Sequence, residues 1–206
     1  MRSWAHGRRT NSLCQMSNSM KDIRVDFSWG AGVLLCLLIL YGSGELMLPL
    51  AAAAAVHEAG HLCAIYALGG RVTAVKFNIG GICLEYDTSE LTYFKELICA
   101  LSGPLAGTAA AIAAAHLGNG VFGGVSLAFS VFNLLPVRPL DGGRAAFCIA
   151  ASFLDLQAAE RLCGIVDITT AMLVTAAGAY AAYVSGGNIT LLFMGAVLVI
   201  CYCKER

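Results

Sequence analysis

Residues 46–69 read LMLPLAAAAAVHEAGHLCAIYALG, and this stretch decides the fold. It is long and apolar enough for a transmembrane helix, which needs about 20 mostly apolar residues. Inside it stand three ionisable side chains, in the run His57-Glu58-Ala59-Gly60-His61. Ionisable groups within a span are costly and are read as functional by default. Two imidazoles at i and i+4 share one helical face, an arrangement suited to gripping a single zinc ion. Glu58, beside the first histidine, is within reach of a water held by such an ion and can serve as a base. Two histidines and a glutamate buried in lipid without a shared cation would be hard to explain.

The rest of the chain agrees with a membrane setting. Of 206 residues, 58% are apolar and 13% charged, and the mean hydropathy is +0.74. An ordinary soluble domain is about 25% charged. Half that value argues against a water-soluble domain, a disordered chain and a nucleic-acid binder, which needs a basic surplus; the balance of 13 basic and 13 acidic residues says nothing about partners. Nine cysteines are present; Cys36, Cys63, Cys99, Cys148 and Cys163 lie in apolar runs with no Cys-x-x-Cys pair. They read as small buried apolar side chains rather than a disulfide framework.

Six segments are predicted to cross the bilayer: about 28–44, 46–69, 97–118, 121–136, 162–184 and 188–203. The fourth runs into Pro136 and Pro139, which predicts a broken helix. With the N-terminus inside, all 13 basic residues fall in cytoplasmic segments. The positive-inside rule therefore predicts a multi-pass protein with both termini cytoplasmic. Residues 1–19 are a polar tail outside the fold, and 20–206 form one domain. The fold class is an α-helical polytopic membrane protein with a small β-hairpin or sheet on the cytoplasmic side. Its strands are read from the alternation Ile23, Val25, Phe27 and from two β-rich runs around Gly80-Gly81 within 70–90. A free strand edge at 72–79 is expected to pair with an extended substrate segment.

A catalytic zinc has three protein ligands and one open position. Four candidates exist for the third: His6, His116, Asp141 and Asp167. Asp141 ends the run Asn133-Leu134-Leu135-Pro136-Val137-Arg138-Pro139-Leu140-Asp141, followed by Gly142-Gly143. Prolines and glycines there force non-helical backbone at membrane depth, which is tolerated where it is buried in protein or lines a cavity. His61 lies about eight residues from the inner end of its span, or about 12 Å at 1.5 Å per residue. The depths of the break and of the histidines match, so Asp141 is the expected third ligand. Asp167 is expected to bond a neighbouring helix, and Gly103 and Gly107 to permit close helix packing.

His57-Glu58-x-x-His61, then Gly103-Pro104-Leu105-Ala106-Gly107, then Asn133-x-x-Pro136-x-x-Pro139-Leu140-Asp141-Gly142-Gly143 together resemble the site-2 protease family of intramembrane zinc metalloproteases. The likeness covers about residues 20–203. The compact six-span arrangement resembles the stage IV sporulation protease FB branch, without the CBS domain those proteases often carry. The resemblance implies one zinc held by His57, His61 and Asp141, and Glu58 as general base and acid. It implies that Asn133 holds substrate backbone or the oxyanion; capping a helix end before Pro136 is the other reading of that residue. It implies an active site toward the cytoplasm, a substrate with a transmembrane or membrane-associated segment (a sigma-factor precursor in that branch), a membrane-bound regulator, and no nucleic-acid partner. Two other readings use the same residues. One is a metal or proton transporter, though no inverted repeat of broken helices is visible. The other is an inactive binding member of the same fold.

Overall fold

The computed structural model describes residues 24–27, 44–70, 72–78, 81–86, 92–186 and 190–205. The predicted tail, the candidate ligand His6, Ile23 and nearly all of the first predicted span lie outside these residues.

The segment carrying the two histidines is α1, Gly44–Ala67. Its buried positions are Ala53, His57, His61 and Ile65, one residue every four, so a single stripe faces the protein. The helix stops at glycine: Gly69 has φ +83° and Gly70 N–H donates to the Ile65 carbonyl at 2.8 Å, closing the last turn. Next come β2, Val72–Asn78, and β3, Gly81–Tyr86, which pair antiparallel with Asn78 opposite Gly81. The short β1, Arg24–Phe27, pairs parallel with β2, Val25 against Val75.

The sheet order is β1-β2-β3. This corrects one expectation. Val72–Asn78 do not present a free edge, because β2 is the central strand and is bonded on both sides. The parallel partner comes from about 50 positions upstream, a pairing that leaves no trace in local alternation. The edges of this sheet belong to β1 and β3.

Then α2, Tyr93–His116, starts at Thr92, whose side chain accepts from Lys95 N–H. It is followed by α3, Gly120–Asn133, capped by Asn119, and after a non-helical segment by α4, Asp141–Phe153. The last two are α5, Leu156–Val184, capped by Asp155, and α6, Thr190–Glu205. Among the described residues three helices, α1, α2 and α5, are long and apolar enough to cross a membrane. At about 1.5 Å per residue, the 14-residue α3 reaches only about 21 Å, short of a hydrocarbon core of about 30 Å. The helix α4 occupies a region expected to be an inner loop; its buried face is made of Asp141 and the small residues Gly142, Gly143, Ala145 and Cys148.

Large apolar side chains point outward, among them Leu48, Phe94, Leu117, Leu173 and Tyr183. Such a surface suits a helical membrane protein, because lipid tails are as apolar as the side chains they touch. Between helices the contacts are made by small residues. A Cβ on Gly60 would come within 2.6 Å of both the Ala106 Cβ and the Ser102 carbonyl oxygen, so α1 and α2 touch nearly backbone to backbone. Two apolar clusters are buried. One joins Ile65 to Cys99; the other joins Val137 and Leu140, before α4, to Ala171 of α5 and Leu198 of α6.

Candidate metal centre

Three side chains from two distant parts of the chain meet. His57 Nε2 lies 2.9 Å from Asp141 Oδ2, His61 Nε2 lies 3.1 Å from the same oxygen, and the two Nε2 atoms are 3.2 Å apart. All three residues are buried, and they form the one such cluster among the described residues. Of the other candidates, His116 is exposed at the end of α2. Asp167 is paired with Arg138, Nη2 to Oδ2 2.7 Å.

The helix and the break each do a separate part of the positioning. One helical turn between His57 and His61 puts both rings on the buried stripe of α1, with centroids 4.8 Å apart. Gly103 of α2 provides the space for the second ring: a Cβ there would collide with three atoms of the His61 imidazole. Gly103 therefore does more than bring helices together. Phe129 of α3 meets the His57 ring edge-on, centroids 5.1 Å apart. Asp141 is the first residue of α4, where a carboxylate is favoured by the helix dipole. Gly142 and Gly143 lie under the preceding segment. A Cβ on either would strike backbone atoms of Leu134, Leu135, Val137 or Arg138.

Hydrogen bonding fixes which atoms are free to hold a cation. His61 Nδ1 lies 2.8 Å from the Cys99 carbonyl oxygen, which can only accept, so Nδ1 carries the proton. In a neutral imidazole Nε2 is then a bare lone pair. It faces a carboxylate oxygen, another acceptor, at 3.1 Å. Two buried acceptors so close repel unless a proton or a metal cation lies between them. Donors about 2.0–2.1 Å from a tetrahedral zinc ion stand about 3.3 Å apart, near the separations found here. The set therefore fits a divalent metal. The Cys99 carbonyl, which also accepts from the Ser102 hydroxyl at 2.7 Å, is the kind of outer partner that fixes a ligand histidine's tautomer. His57 Nδ1 is buried and has no hydrogen-bond partner among the described residues.

Glu58 is half-buried on α1, about 100° around the helix from His57, and within electrostatic reach of His57, His61, Asp141 and Arg144. Asn133 ends α3, and its Nδ2 donates to the Phe129 carbonyl at 2.9 Å, so its amide is tied to its own helix. Sequence reasoning missed the partnership of Arg138 with Asp167, 29 positions apart.

The arrangement of the helices is similar to that of a site-2 protease. The solved structure of the site-2 protease from Methanocaldococcus jannaschii superposes with a TM-score of 0.68 over 92% of this chain and 93% of that one, at 18% identity. At that identity the likeness establishes the fold. No protein-family model matches the sequence, and a search of curated proteins returned no match.

Proposed function

We propose that this protein is an intramembrane zinc metalloprotease that hydrolyses peptide bonds within or beside transmembrane segments of membrane-associated proteins. The observation that carries the reading is the apposition of His61 Nε2 and Asp141 Oδ2, two buried acceptors that need a cation, completed by His57. His57, His61 and Asp141 would hold one zinc. When bound, zinc supplies a Lewis acid and lowers the pKa of a coordinated water toward about 7. Glu58 takes the proton of the attacking water and returns it to the leaving amine. Asn133 stands one turn beyond Phe129, and its side-chain carbonyl, the end not used in the bond to Phe129, serves the substrate backbone. In this reading both termini lie in the cytoplasm and the centre lies toward that side, supported by the segregation of all 13 basic residues to one set of segments.

The test is cleavage of a tagged single-span protein by purified enzyme in liposomes. Cleavage should disappear with a zinc chelator and return with zinc; activity indifferent to chelation overturns the proposal, and zinc flux without cleavage would mark a transporter.

A helical substrate hides its carbonyls in i to i−4 bonds and must be unwound before attack. In lipid each bare backbone group costs several kcal/mol, so replacement partners are needed. β3, an edge strand among the described residues, can provide them, with the substrate added as a further strand. Pro scanning across Gly81–Tyr86 should lower cleavage by about 2–10-fold at alternate positions, the worth of one hydrogen bond, and leave zinc content unchanged. Unchanged cleavage at every position would remove the strand-pairing role.

A further inference from the structure

The segment between α3 and α4 delivers Asp141, yet it is neither helix nor strand. Its backbone donors can be followed one by one. Leu134 and Leu135 donate back to α3, to the Ser130 and Phe132 carbonyls. Val137 donates to Leu135 at 2.8 Å and Leu140 to Val137 at 2.9 Å. Pro136 and Pro139 have no N–H. Arg138 remains, and its N–H leaves the segment for Asp167 Oδ1 on α5, at 3.0 Å. The side chain of the same arginine then folds onto the other oxygen: Nε and Nη2 each lie 2.7 Å from Asp167 Oδ2. One carboxylate thus grips one residue by backbone and guanidinium together.

That carboxylate is 2% exposed. A buried acid in a span is retained where it has a partner and a task. Both its oxygens are engaged by Arg138, so metal ligation and proton relay are not its task. One turn further along α5, Ala171 packs on Val137 and Leu140, the residues flanking Arg138 and Pro139. Charge and packing therefore hold the segment to α5 at the same place, three residues before Asp141.

We propose that Arg138 and Asp167 are positioning residues that fix the third metal ligand, Asp141, against the histidines of α1. The inference rests on the zinc reading of the centre. With the pair broken, the segment keeps its short internal bonds and its packing on Ala171 but loses the charged part of its hold on α5, and Asp141 samples positions away from His57 and His61. Partners that orient metal ligands typically change metal affinity by about 10–100-fold when removed.

The experiment measures zinc affinity of the full chain in detergent by competition with a chromogenic chelator, and the visible absorption of the cobalt-substituted protein, with helix content as the folding control. Asp167→Asn keeps an acceptor for the Arg138 N–H and removes the charge. It should bind zinc about 10–100-fold more weakly and alter the cobalt bands at unchanged helicity. Arg138→Lys retains the charge but not the two-nitrogen geometry, and should fall between Asp167→Asn and the unmodified protein. The double variant Arg138→Met/Asp167→Asn should lose no more than Asp167→Asn alone, because the two act as one contact. If Asp167→Asn does not fold, Arg138→Lys carries the test. A folded variant with unchanged zinc affinity and cobalt spectrum overturns the positioning role. Failure of the unmodified chain to bind zinc overturns the metal reading as well, so the two failures are told apart.

Discussion

Glu58→Gln is expected to retain one zinc per chain and to cleave about 10²–10⁴-fold more slowly. The size follows from what a positioned general acid–base group contributes to proton transfer. The separation of binding from chemistry follows from the geometry. Glu58 is not part of the buried cluster of His57, His61 and Asp141, so exchanging its carboxylate for an amide removes no ligand atom. It follows His57 by one residue and is turned away from the buried stripe of α1, yet stays within electrostatic reach of His57, His61 and Asp141. Glutamine preserves volume and hydrogen-bonding reach and loses only the ability to take up a proton. Elemental analysis and cleavage of a tagged single-span protein, measured on one preparation, decide it. A Gln variant that cleaves normally removes Glu58 from the chemistry, and one that loses zinc makes it a ligand.

What could be read in the sequence was whatever the membrane makes expensive. A histidine, glutamate and histidine at helical spacing within an apolar stretch admit few explanations, and the proline and glycine break before Asp141 is visible for the same reason. The strand alternation at 72–86 was also legible, since period two is a local signal. What could not be read depends on neighbours far along the chain. Nothing in Val25 or Val75 says that they face each other, so the central place of β2 stayed hidden. Asp167 was seen as a buried acid, but its partner is a side chain in an irregular segment, which has no period to follow. The helix α4 went unread behind the proline and glycine break, and the need for Gly142 and Gly143 shows only in the crowding above them. Gly103 was read as helix packing; its service to the His61 ring appears only when α1 and α2 are brought together.

That crowding sets the second large effect. Gly142→Ala is expected to lower zinc occupancy and to reduce cleavage by about 100-fold or more, although alanine adds one methyl group and removes no donor. Within a helix the same change ordinarily stabilises by about 0.5–1 kcal/mol, because glycine is the more flexible residue. Here the new Cβ meets the Leu134 and Leu135 carbonyl groups, and backbone cannot swing aside as a side-chain tip would. Overpacking of this kind costs about 1–3 kcal/mol and sometimes more. Relief comes from lifting residues 134–140 off α4 or sliding the first turn of α4, and either motion carries Asp141, the adjacent residue, away from the imidazoles. A displacement of about 1 Å at a reacting centre is enough for a 100-fold loss. Gly124→Ala is the control: it lies on α3 with nothing within 4 Å of the added methyl, and should keep both zinc and cleavage. If Gly142→Ala matches Gly124→Ala in zinc affinity and rate, the segment is free to move without disturbing the ligand, and the account of how Asp141 is held must be abandoned.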